Sequence, residues 1–117
     1  MNLVGPLMRQ SQTAVLERNT TLTGEFATEP YEAAWAGEAR WFVQVLERSA
    51  EDAELVLTTQ ISPDGITWCD HDGGSHRTEG ELTTWAVHEF GQWLRVRGAV
   101  TPAGAQVKVR IYLAVKS

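Results

Sequence analysis

From residue 107 to residue 115 the chain alternates without a break. Val107, Val109, Ile111, Leu113 and Val115 share one face, and Lys108, Arg110 and Tyr112 take the other. A period of two with one apolar side predicts a half-buried strand. Residues 53–61 repeat the pattern, with Leu55, Leu57 and Ile61 against Glu54, Thr58 and Gln60. Residues 40–47 break it in an informative way. Trp41, Val43 and Val45 are apolar, and so are Phe42 and Leu46 on the opposite face. Two apolar faces predict a central strand with cover on both sides.

Further β-type runs cover Thr13–Asn19, Leu22–Ala27, Ile66–Asp70, Glu81–His88 and Trp93–Val100. Between the runs lie Glu29-Pro30, Ala36-Gly37, Asp72-Gly73-Gly74, Phe90-Gly91 and Thr101-Pro102-Ala103-Gly104, each with the chemistry of a turn. No segment carries a helical stripe, and Tyr31–Gly37 has room for one turn of helix at most. About eight short strands at regular spacing predict an all-β antiparallel sandwich of jelly-roll type. Its domain is expected to span residues 13–117, behind an extended N-terminal arm over residues 1–12.

The segment Ser62-Pro63-Asp64-Gly65 separates two of these runs. Pro63 presets φ at the first corner, Asp64 suits the second, and Gly65 can take the left-handed conformation that closes a type I turn with a bulge. The expectation is a tight hairpin joining Ile61 to Ile66, which fixes the face on which Trp68 emerges.

Composition narrows the function. The chain has 117 residues, a formal net charge of −5 and one cysteine. One domain fits this length, and no internal disulfide is possible. The net negative charge argues against nucleic acid as a partner, because phosphate binding needs clustered Lys and Arg. No apolar run approaches the ~20 residues of a membrane-spanning helix. Because the first ten residues lack a positive n-region, and Gly5-Pro6 breaks their apolar run, synthesis in the cytoplasm is expected.

Candidate chemistry is sparse. Cys69, Asp70, His71, Asp72 and His76 offer metal-ligating types, but their spacing fits no zinc or calcium pattern. With Gly73 and Gly74 among them they read as a solvated hairpin loop, and no metal or other cofactor is expected. Cys69 reads as a small, half-buried residue at a strand end. His88, beside Glu89, assembles no nucleophile and base from its sequence neighbours, so no catalytic residue is assigned and no enzyme is expected.

Tryptophan is the unusual component, with Trp35, Trp41, Trp68, Trp85 and Trp93 in one small domain. Two or three belong in the core, Trp41 first. Any exposed remainder could stack on sugar rings or anchor a protein interface. Alternation in Trp93-Leu94-Arg95-Val96-Arg97 turns Leu94 and Val96 inward and sets Trp93, Arg95 and Arg97 on the opposite face, a candidate interface. Leu3, Val4, Leu7 and Met8 form a second candidate, an apolar arm able to bury itself on a neighbouring subunit.

The Ser-Pro-Asp-Gly turn leading to Trp68, and the later Trp93-Leu94-Arg95-Val96 strand, resemble the small β-sandwich proteins of tailed-phage structural gene clusters, including capsid cement or decoration proteins. Ser62, Asp64, Gly65, Trp68, Trp93, Arg95 and Val96 carry the match. The stretch Asp70-His71-Asp72-Gly73-Gly74 is longer and more charged than that pattern. The resemblance implies a structural role, with the chain assembling as a homo-oligomer and bridging subunits of a major capsid or shell protein in the virion. The alternative is a carbohydrate-binding sandwich that uses exposed Trp residues.

Overall fold

The computed structural model describes residues 10–117, and they form nine strands and no helix. The strands are β1 (Ser11–Leu22), β2 (Glu25–Ala27), β3 (Tyr31–Glu32), β4 (Glu38–Arg48), β5 (Glu54–Ser62), β6 (Cys69–Arg77), β7 (Leu82–Val87), β8 (Trp93–Thr101) and β9 (Val107–Lys116). One sheet has the order β1-β9-β4-β7; the other has β2-β8-β5-β6, with β3 also on β8. All neighbours are antiparallel.

The pairs nest. β1 lies beside β9, β2 and β3 beside β8, β4 beside β7, and β5 beside β6, alternating between the sheets. A long hairpin rolled up on itself has this order, which is that of a jelly roll. β2 and β3 act as one interrupted strand, so eight strand positions are filled. The interruption is Glu29-Pro30. Just before it, Thr28 keeps the ladder closed, its N–H donating to Val96 O at 2.9 Å and its Oγ1 accepting from Val96 N at 3.0 Å.

The alternation of β9 becomes the core. Val107, Val109, Ile111, Leu113 and Val115 are buried against Leu55, Leu57, Leu94 and Val96 of the facing sheet. At roughly 1.5–3 kcal/mol per fully buried side chain, before ordering costs, such residues supply the main driving force. Trp41 is fully buried with Trp85 beside it, their ring centroids 6.5 Å apart. Trp85 Nε1 donates to Thr59 Oγ1 at 3.0 Å, which satisfies two polar groups that the core would otherwise strand.

β4 is central, as expected, paired to both β9 and β7. Its outer face has no third layer over it in this two-layer fold, and Phe42 and Leu46 there are half-buried, not enclosed.

Three other local expectations change. β1 is continuous through Leu22 and begins two residues before Thr13. Tyr31–Gly37 holds β3 and a turn closed by Ala36 N–H to Ala33 O at 3.0 Å, and no helix. The tight hairpin is replaced by a six-residue loop over 63–68, since pairing ends at Ile61 with Cys69. The proposed arm residues Leu3, Val4, Leu7 and Met8 lie outside the described residues.

Candidate binding faces

Asp64 organises the loop that precedes β6. Its Oδ1 accepts from Ile66 N at 2.9 Å, from Thr67 N at 2.8 Å and from Ser62 Oγ at 2.9 Å. The Ser62 hydroxyl in turn accepts from Gly65 N at 2.8 Å and from Asp64 N at 3.2 Å. Two amides pull the chain round the carboxylate, so residues 66 and 67 cannot enter the ladder. The Thr67 and Ile66 amides, with the Ser62 hydroxyl, hold the Asp64 pKa down at about 2. Pro63 is exposed at the corner. Gly65 is left-handed, with φ +78°, as the sequence requires.

Under Gly65 lies Trp93; a Cβ on this glycine would sit 3.2 Å from two of the indole carbons. Alternation along β8 is as expected, with Leu94 and Val96 buried and Trp93, Arg95 and Arg97 facing out. Two of those three are engaged within the molecule. Arg95 stacks over Trp68 at 4.4 Å and donates from Nε to Gln60 Oε1 at 2.9 Å. Gln60 passes the connection on, its Nε2 donating to Asp70 Oδ1 at 2.9 Å. The result is a wall of indole, guanidinium, amide and carboxylate across β8, β5 and β6, which leaves Arg97 as the exposed cation of the three.

The residues read as a polar loop belong to β6. Between the pairs Asp70–Gln60 and Ser75–Thr58 the strand bulges away from β5. His71 holds the bulge. Its Nε2 donates to His88 O at 2.6 Å, since a carbonyl can only accept, and its Nδ1 therefore accepts from Gly73 N at 3.0 Å. His76 stacks on Trp85, with centroids 4.5 Å apart and planes 12° apart, and burial lowers its pKa from 6.5. Cys69 is exposed rather than half-buried, its Sγ 3.8 Å from Ile61 O. Among the described residues no three His, Cys, Asp or Glu side chains gather as a metal site would require.

None of the five tryptophans is among the exposed large hydrophobics, which are Val15, Ile66 and Leu82. Trp41 and Trp85 are core residues, and one face of Trp68 is occupied by Arg95.

The surface that sequence reasoning missed is the outer face of β1-β9-β4-β7. Register aligns Val15, Tyr112, Phe42 and Thr84 in one row, and Thr13, Ala114, Arg40 and Ala86 in another. Val15 is 37% exposed and Leu82 is 55% exposed. At one end Arg40, Lys116 and Glu38 rim a depression of about 340 Å³ floored by Phe42, Ala86 and Ala114. At the other end Glu47, Glu51 and Glu81, with Arg48, rim a depression of about 470 Å³ that includes Leu46. Arg40 Nη1 donates to the Thr84 hydroxyl at 3.0 Å, and among the described residues no carboxylate forms an ion pair with Arg40 or Lys116. The signal was present in the sequence, in the second apolar face of residues 40–47.

No family model matches this chain, and no curated protein matches it in sequence. Among solved structures, the PBSX exported protein XepA matches over 89% of this chain, with a TM-score of 0.66 and 15% identity. The chain spans only 36% of XepA. The structure of FLHE aligns over 93% of this chain and 95% of its own length, with a TM-score of 0.46 and 12% identity. The likeness to XepA is one of fold.

Proposed function

We propose that this chain is a non-enzymatic structural protein of a phage particle, a cement or decoration protein that self-associates and bridges the subunits of a protein shell. The observation that carries the reading is the jelly-roll sandwich, matched over 89% of the chain by XepA, a PBSX phage exported protein. The uncovered apolar face of β4 and its neighbours adds support, since a shell-binding domain works by burying such a face. Its partners on this reading are further copies of itself and a major capsid or shell protein, with neither nucleic acid nor membrane involved. Among the described residues no helix is long and apolar enough to cross a membrane.

Particles induced from the organism that carries the gene test this directly. The chain should band with particles on a density gradient and survive a wash that removes soluble protein. Particles from a deletion strain should release their contents at a lower temperature. A chain found only in the soluble fraction, with particles of unchanged heat stability, would reject the role.

A further inference from the structure

We propose that the outer face of the β1-β9-β4-β7 sheet is covered by the same face of a second copy of this chain, packed with the two β4 strands antiparallel. The inference rests on the structural reading above for its purpose and on the geometry of this face for its content.

The face is the right size. β4 has 11 residues and β9 has 10. At ~3.3 Å per residue and ~4.8 Å between strands, four strands present a projected footprint on the order of 600 Å². Side-chain relief raises that towards the ~800 Å² per partner of a stable interface. Its apolar part is Phe42 and Tyr112, paired in register, with Leu46 and Leu82 further along the strands and the Gln44–Arg110 pair between them. Val15 and Leu82 stand out from it by 37% and 55% of their surface. A surface that combines aromatic rings with exposed Leu and Val suits a protein partner better than water.

Charge selects the partner and its direction. One end of the face carries Arg40 and Lys116 with one carboxylate, Glu38, and the other carries Glu47, Glu51 and Glu81 with Arg48 and with Lys108 opposite Glu47, so the two ends lean to opposite signs. A bulge in β4 between Val45 and Glu47 sets Arg40 and Glu47 on one face; opposite Ala114 and Lys108 they are six β9 residues apart, about 20 Å at ~3.3 Å per residue. A partner with its strands parallel would set Arg40 over Arg40 and Glu47 over Glu47, which repels. A two-fold axis crossing β4 near residues 43 and 44 does the reverse. It lays Arg40 of each copy over Glu47 of the other and brings Phe42 and Tyr112 of both copies together at the middle. Arg110, opposite Gln44 and so near that axis, is drawn aside towards β1 by its Nε bond to Asn19 Oδ1 at 2.8 Å. The contact is isologous, so it closes as a pair.

Sedimentation velocity on the full chain, over a hundredfold range of concentration, reads the association. The wild type should populate a dimer by mass action. Leu82→Glu, on an exposed side chain that the fold does not need, should weaken it at least tenfold. Arg40→Glu and Glu47→Arg should each weaken it comparably, and the double variant Arg40→Glu/Glu47→Arg should recover most of the loss, because the swap restores the pairing. Circular dichroism confirms that each variant is folded. A monomer at every concentration overturns the proposal, and so does a dimer indifferent to Leu82→Glu and Arg40→Glu. A double variant no better than the singles overturns the antiparallel arrangement. A monomer that dimerises only after removal of residues 1–9 assigns the face to the chain's own N-terminal segment instead. A chain that bands with particles but stays monomeric defeats this inference alone; a dimer absent from particles defeats the functional reading alone.

Discussion

Gly65→Ala separates two costs that are usually confounded, because the fold supplies its own control. Gly65 and Gly91 have nearly the same left-handed backbone, with φ of +78° and +77°. An alanine at either site takes the strain of positive φ, about 1 kcal/mol. The surroundings differ. A Cβ on Gly91 meets nothing within 4 Å, whereas one on Gly65 lies 3.2 Å from Cδ2 and from Cε2 of Trp93. Carbon pairs prefer about 3.5–4.0 Å, so the indole or the loop must yield by several tenths of an ångström. Overpacking of that kind costs about 1 kcal/mol or more. Gly91→Ala should therefore lose about 1 kcal/mol and Gly65→Ala about 2 kcal/mol. For a domain of this size these correspond to Tm shifts of about 4 and 8 °C. Urea titration followed by circular dichroism measures both, with an unchanged slope confirming that the unfolded state is the same. Equal losses at the two sites would refute the close approach of the loop to Trp93, and with it the argument that Trp93 is committed to the fold.

Asp64 and His76 both lose their stabilisation as pH falls, in different pH windows and for different physical reasons. The Asp64 pKa falls from 3.8 unfolded to about 2 folded, so its stabilisation is fully present above pH 3.8 and disappears as pH drops towards 2. In urea midpoints from pH 6 down to about pH 2, Asp64→Asn should show a gap from wild type that closes over that window; a constant gap would mean that the carboxylate charge plays no part. Burial lowers the His76 pKa below its unfolded 6.5, so the neutral ring stabilises the fold above that value and the benefit is lost as pH falls through the folded value. His76→Phe keeps a ring against Trp85 and should flatten this acid-side loss; a variant with the wild-type pH profile would show that the stacked imidazole is not its source.

The strands that follow a strict period of two were legible in the sequence because one variable, burial of alternate side chains, decides them. Residues 107–115 are in this class throughout; in 53–61 Leu55 and Leu57 are buried as expected, but Ile61 is half-buried and Gln60, expected on the polar face, is buried under Arg95 and Asp70. The stretch 69–77 was not legible, because an edge strand at the rim of a sandwich needs no apolar face. Its Asp, His and Gly residues have the composition of a loop. What makes it a strand is tertiary: pairing to β5 and the His71 bond to the His88 carbonyl, 17 residues away. The loop over 63–68 failed for a related reason. Turn residues fix which φ values are allowed, but not that one carboxylate will gather the amides of residues 66 and 67 and keep them out of the ladder.

The same distinction decides which surface is free to bind. Alternation places Trp93, Arg95 and Arg97 outward, yet it cannot say whether an outward side chain is already spoken for. Arg95 finds its indole in Trp68, 27 positions away, and its amide in Gln60 on the next strand, so a face that reads as exposed is half consumed by its own neighbours. Phe42 and Leu46 present the converse. Their strand reads as covered on both sides, and the fold covers only one. A jelly roll has two layers, so a central strand with two apolar faces needs a cover that lies beyond those layers. The surplus hydrophobicity of residues 40–47 therefore points to a contact outside the sandwich, and the opposed charges of Arg40 and Glu47 along the same strand give that contact a direction.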